Sequence, residues 1–194
     1  SIAEDAVGEL YAVNTESGVI SRIIDASATV RVSPKVILDG PYNTGTGLMN
    51  DALRAASLVP STEPYTTSLG YPKVAKGGGE VLGAGVLTTT GNNAVVDWVR
   101  VELRAVSQPS LIAASAQGVL QRDGDVLAAD NTNPLTFRVG AGNYFVAIRH
   151  RNHLSCMTAA GVALTSTTTA VDFTLPATNT FGTNARKTIN TVRA

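Results

Sequence analysis

Residues 94–104 read AVVDWVRVELR, and β-branched residues at alternating positions mark this stretch as a strand. Counting in twos puts Val95, Asp97, Val99, Val101 and Leu103 on one face and Trp98, Arg100, Glu102 and Arg104 on the other. Asp97 is then a lone carboxylate among valines, tolerable inside a protein only if it is hydrogen-bonded. On the opposite face, Trp98 beside Arg100 is expected to be exposed, as a sugar-stacking platform or an interface contact.

The same period of two runs outward in both directions. Downstream, strands are expected at 81–89, 111–120, 135–139, 143–151, 158–165 and 169–174, separated by turn residues. Upstream, ELYAVNTESGVISRI reads as two strands around a turn at Thr15–Gly18, and ATVRVSPKVIL puts Val30, Val32, Val36 and Leu38 on one face. Many short strands without alternating helices predict an all-β chain, an antiparallel two-sheet β-sandwich of immunoglobulin-like or jelly-roll-like type. Residues 39–80 break the pattern: they are rich in Gly and Pro, with one short helix expected around 48–56. So long an irregular stretch is either functional or a surface excursion held down by Leu48, Met49, Leu53, Tyr65 and Tyr71. The expected division is an N-terminal strand segment (1–34) able to exchange with a neighbouring copy, a sandwich module (35–188) and a tail (189–194).

Composition narrows the function. In 194 residues, 15 basic side chains balance 15 acidic ones, so no net field attracts nucleic acid. The single cysteine, Cys156, forms no internal disulfide, and no Cys/His spacing fits a structural zinc site. Apolar runs end well short of the roughly 18 residues a membrane helix needs, so a soluble chain is expected. Abundant Thr, Ser, Asn and Gly suit a secreted protein, extracellular or at the cell surface.

The segment YFVAIRHRNHL, residues 144–154, holds both histidines. Strand counting separates Tyr144, Val146, Ile148, His150 and Asn152 from Phe145, Ala147, Arg149, Arg151 and His153. Arg149 and Arg151 are thus expected together as binding residues, away from His150, which leaves no single catalytic constellation. His150 is the natural partner for Asp97, as a structural polar pair. No G-x-S-x-G or H-E-x-x-H motif is present, AKGGGEV has its lysine before rather than after the glycines, and Cys156 is expected as a buried thiol. Asp123-Gly124-Asp125 and Asp130 combine carboxylate and amide oxygens as calcium loops do, although Asp-Gly is equally a hairpin turn.

Five stretches occur in one order: VILDGPYNTGTGLMNDALRAASLVPSTEPYTTSLGY, GNNAVVDWVRVELR, VLQRDGDV, GNYFVAIRHRNHL and VDFTLPATNTFGTNARK. Together they resemble the hemagglutinin-like module of large secreted and surface proteins of Bacteroidota-type bacteria, over roughly residues 35–188. The resemblance implies a place near the C-terminal end of a multidomain surface protein and assigns no residue-level chemistry. The chain departs from the pattern at KTINTVRA, where members often continue into a Trp-containing segment and an Asp-rich, calcium-type repeat. The expectation is a non-catalytic structural or adhesive surface protein, polymerising with copies of itself or contacting surface glycans. Calcium is left open as its only cofactor, and a carbohydrate-binding module is the alternative.

Overall fold

The structure, a computed structural model, describes residues 1–4, 10–22, 28–189 and 192–194. In chain order the strands are β1 (Ile2–Glu4), β2 (Leu10–Val13), β3 (Ile20–Arg22), β4 (Val30–Lys35), β5 (Tyr42–Asn43), β6 (Leu48–Met49), β7 (Val95–Ala105) and β8 (Gln108–Gln121). They continue with β9 (Val126–Leu127), β10 (Leu135–Phe137), β11 (Gly142–His150), β12 (His153–Met157), β13 (Val162–Leu164), β14 (Thr168–Asp172), β15 (Thr188–Ile189) and β16 (Val192–Arg193). Two one-turn helices, α1 (Ala52–Ala55) and α2 (Pro64–Thr67), lie in the irregular excursion. The fold is all-β.

The strand read first from the sequence is the middle of the larger sheet. β7 pairs antiparallel with β8 on one side and β11 on the other, in a six-stranded sheet of order β12-β11-β7-β8-β9 with β13 also on β11. A smaller sheet, β10-β4-β14, contributes Val30, Val32, Leu135, Phe137 and Val171 to a core shared with Val99, Val101 and Leu103 of β7, Ala114 and Ala116 of β8, and Val146 and Ile148 of β11. The pairing is not purely antiparallel, which corrects the expectation: β14 runs parallel to β4. Hairpin turns announce antiparallel neighbours in a sequence, whereas these two strands are joined through the entire rest of the module, a connection that leaves either sense open. β4 lies at the centre of its sheet, so residues 30–34 belong with the core that the sequence reading started at 35.

A bulge between Val95 and Asp97 sets the faces of β7. The extra residue turns Val96 into the shared core and sends Val95 to the outer face with Trp98, while Asp97 stays opposite Leu120 on the core side. The outer face is not open to solvent. Residues 53–87 lie over it as a third layer, where Val59, Tyr65 and Val86 pack on Val95, Trp98 and Val119. Main-chain groups tie the cover down: Trp98 Nε1 donates to Pro60 O at 2.8 Å, and the Tyr65 hydroxyl donates to Trp98 O at 3.0 Å. The turn at 74–77 sits so close to β8 that a Cβ on Gly77 would overlap the Ser115 carbonyl. No strand forms over 81–89; that stretch holds one bridge, Val81 to Thr62, and a 3-10 turn at Val86–Thr88.

At the N-terminus, β1, β2 and β3 form their own three-stranded antiparallel sheet. Asn14 Oδ1 accepts from the Glu16 and Ser17 amides in the β2–β3 turn, and Gly18 takes a left-handed φ of 69° there. The parts of the expected N-terminal segment at 5–9 and 23–27, and of the tail at 190–191, lie outside the described residues. Arg193 N donates to Thr174 O, which places β16 beside the end of β14. Among the described residues, no helix is long and apolar enough to cross a membrane.

Candidate functional site

Two groups of polar side chains flank β7. The first lies on its outer face, under the cover. Glu102 is the hub: Oε1 accepts from Arg100 Nε at 2.9 Å, and Oε2 accepts from Arg104 Nη2 at 2.6 Å and Arg149 Nε at 3.1 Å. Arg100 is fully buried; it also donates to Pro72 O and lies over the Tyr71 ring, 5.4 Å from its centroid. With its amide turned to satisfy both ends, Gln117 accepts from Arg100 Nη1 at 2.8 Å and donates to Glu80. Burial alone pushes Glu102 up, but hydrogen bonds from Arg100, Arg104 and Arg149 outweigh it and hold the carboxyl below its usual range. Among the described residues no cation bonds Glu80, and burial raises it. Glu63, also buried, caps α2 by accepting from the Thr66 amide and takes a further bond from the Gly79 amide at 2.8 Å.

The second group closes one end of the core. Asp97 Oδ2 accepts from His150 Nε2 at 3.1 Å, and Arg151 donates to both carboxylate oxygens at 3.0 Å. Burial raises Asp97, yet bonds from His150, the Trp98 amide and Arg151 bring it below its ordinary value. The Asn152 amide points at His150 Nδ1 from 3.2 Å, so Nδ1 is an acceptor and the ring proton sits on Nε2, toward Asp97. His153 Nδ1 lies 2.9 Å from the same His150 Nδ1 and therefore carries the hydrogen. His153 Nε2 lies near Gly40, where a Cβ would stand 3.6 Å from it. Burial and the neighbouring His150 lower the His153 pKa, against a smaller upward pull from Asp39 and Asp97.

These histidines form the partition between two cavities. One, of about 390 Å³, has Leu38, Ile148 and Phe173 in its walls; the other, of about 310 Å³, lies toward Pro41, Asn50 and Leu53. His150, Asn152 and His153 line both. Cys156 also lines the larger one, and burial pushes its thiol up to about 11.

Several sequence-predicted residues stand elsewhere than expected. Trp98 and Arg100 were expected on an exposed binding face; both are 0% exposed, because the excursion covers the face that the strand count left open. Arg149 and Arg151 do not stand together. β11 ends at His150 and residues 151–152 turn, so strand counting stops applying there: Arg149 goes to Glu102, and Arg151 folds back to Asp97 beside His150. The loop carboxylates are not gathered for a shared calcium ion. Asp125 pairs with Lys35 at 2.8 Å, Asp123 accepts from the Asp125 amide, and Asp130 accepts from Thr132 and Asn133 within its own loop. Among the described residues no group of three or more His, Cys, Asp or Glu could hold a metal ion.

Sequence reading missed the hub, Glu102, although the signal was present. Arg100-x-Glu102-x-Arg104 puts three charges in a row on one face of a central strand, beside a tryptophan, and such a face has to be covered or highly solvated. It also missed the contact of His153 with His150, which depends on a hairpin end that no period describes. In comparisons with known proteins, no family model, curated protein or solved structure matches this chain.

Proposed function

We propose that this chain is a non-catalytic β-sandwich module of a secreted or cell-surface protein, with a structural or adhesive role exerted through contacts. The observation that carries this reading is where its charged groups are spent. Glu102 is saturated by three arginines and Asp97 by Arg151 and His150, so the strongest ionisable clusters fasten layers together and leave no activated nucleophile beside them. The resemblance to the hemagglutinin-like surface module points the same way. Self-association has support in the N-terminal sheet. There β1 and β3 each pair on one side only among the described strands, and Ile2, Val19 and Ile20 are exposed. An open edge of this kind accepts a strand from a neighbouring copy, and a contact that does not close on itself builds a filament.

Light scattering on the purified chain, with and without calcium, combined with adhesion to glycoprotein-coated surfaces, tests the reading. Large particles or adhesion support it, and deletion of residues 1–12 is expected to leave a folded chain that has lost its particles. A monomer at high concentration that adheres to nothing removes it.

A further inference from the structure

The larger cavity joins an apolar floor to an excess of positive charge. Leu38, Ile148 and Phe173 form the floor, and Leu154, 98% exposed at the start of β12, stands in the wall. Arg186 and Arg193 line the same space. Arg186 donates to the Phe173, Leu175 and Thr178 carbonyls, and Arg193 to the Thr188 hydroxyl. Such partners leave a guanidinium its full charge, and among the described residues neither arginine meets a carboxylate at ion-pair distance. Arg186 has used both Nη1 hydrogens and one on Nη2, so its Nε hydrogen and the second on Nη2 have no partner among the described residues. Burial lowers the Arg186 pKa and the like charge of Arg193 adds to that, against upward pulls from Cys156 and Asp172.

The remaining groups do not cancel this charge. Asp39 and Lys187 neutralise each other as an ion pair at 2.8 Å. Cys156, its thiol pushed up to about 11, and His153, held below its ordinary value, are both neutral near pH 7.5. Ala194 exchanges main-chain bonds with Lys187 at 2.8 and 2.9 Å, and its carboxylate pairs with neither arginine. Two guanidiniums therefore stand against one carboxylate. A volume of about 390 Å³ falls in the range of small-ligand pockets.

We infer that this cavity binds a small monocarboxylate with a short apolar tail, of the fatty-acid or aryl-acid kind. The carboxylate accepts from the unspent Arg186 hydrogens and relieves the repulsion between Arg186 and Arg193. The tail lies on the floor and removes it, with Leu154, from water. A bare anion leaves the floor wet, a neutral ligand leaves the two guanidiniums uncompensated, and an amine adds a third cation beside them. The inference rests on the cavity lining and is independent of the adhesive reading.

The test is an NMR titration of the full chain near pH 7.5 with sodium hexanoate, against hexanamide, hexylammonium and acetate. Hexanoate should shift the Leu38, Ile148 and Leu154 methyl signals together and bind more tightly than the three controls. Arg186→Met should weaken hexanoate binding about tenfold or more, the worth of one hydrogen bond to a charged group. That variant strands three carbonyls, so two further ones guard against a folding defect. Arg193→Met removes the second charge, and Leu154→Ser changes a side chain that is exposed in the folded chain. Both should weaken hexanoate, and Leu154→Ser should leave acetate as it was. Equal affinity for hexanamide or acetate, preference for hexylammonium, no methyl shift at tens of millimolar hexanoate, or unchanged hexanoate affinity in both Arg193→Met and Leu154→Ser overturns the proposal. Each of these results leaves the adhesive reading standing, because particle size and adhesion are measured separately on the same chain.

Discussion

Replacing Glu102 by glutamine keeps the side chain's shape and removes its charge, and the surroundings size the effect. One carboxylate serves three guanidiniums, and the side chains of Glu102 and Arg100 are 1% and 0% exposed. Removing one partner from a buried ion pair costs about 3–5 kcal/mol, because the remaining charge stays buried without compensation. The amide of Glu102→Gln retains one acceptor, which puts it near the lower end, about 3 kcal/mol. That is a large part of a typical domain stability of about 5–15 kcal/mol. The arginines should be graded by exposure. Arg100→Met should cost about as much as Glu102→Gln, whereas Arg149, with a side chain 32% exposed, should cost about 1 kcal/mol or less. Because the folded carboxyl lies below its ordinary value of 4.5, it binds fewer protons than the unfolded chain does just below that value. Its contribution is therefore complete above 4.5 and lost as pH falls through the folded pKa. Urea unfolding followed by Trp98 fluorescence, at pH 7 and again in the acid range, measures both effects. The parent should lose more stability on acidification than Glu102→Gln does. The reasoning is refuted if Glu102→Gln stays within about 1 kcal/mol of the parent at pH 7, or if Arg149→Met costs as much as Arg100→Met.

Asp97→Ala leaves His150 and Arg151 without their acceptor and should destabilise by about 1–3 kcal/mol; a melting temperature equal to the parent's would mean that the bulge places Asp97 elsewhere. Trp98, the only tryptophan, should emit at short wavelength and resist acrylamide quenching until unfolding, and ready quenching of the native chain would show the cover to be open. Melting temperatures in chelator and in millimolar calcium should agree, since Asp123, Asp125 and Asp130 are held by separate partners; a rise of several degrees would contradict that separation. With its thiol near 11, Cys156 should be thiolate in roughly one molecule in a thousand at pH 8. Alkylation should accordingly be slow in the native chain and fast in denaturant, and equal rates would place the thiol at the surface.

The parts of the fold legible in the sequence are those governed by local periodicity. The run from Val99 to Arg104 alternates in the structure as it does in the text, and that one strand locates the shared core. What periodicity could not carry was what lies against each face. Trp98 and Arg100 point outward as counted, yet outward means under residues 53–87, a stretch whose Gly and Pro content hides its role as a covering layer. The bulge at Val96 is invisible to counting because one extra residue leaves no composition mark. Arg151 shows the same limit at a strand end: one residue past His150 the chain turns, and a guanidinium assigned to the far face reaches Asp97. The parallel sense of β14 was unreadable because no turn connects it to its partner.

That parallel pairing also has a meaning in time. Thr168 lies opposite Arg31 in the register, so the smaller sheet is completed only when a strand near residue 170 reaches one near residue 30. A ribosome adding about 5–20 residues per second needs roughly 7–27 s to make the intervening chain. Through that interval Val30 and Val32 have no finished sheet to enter, and even the β10 edge is about a hundred residues away. The nascent chain therefore carries an unpaired, apolar, β-prone segment for seconds before its own partner exists. Whatever keeps that segment from pairing with a neighbouring nascent chain, be it a chaperone or low concentration, governs the yield of folded protein, and changes at Val30 or Val32 should register in yield before they register in the finished molecule's stability.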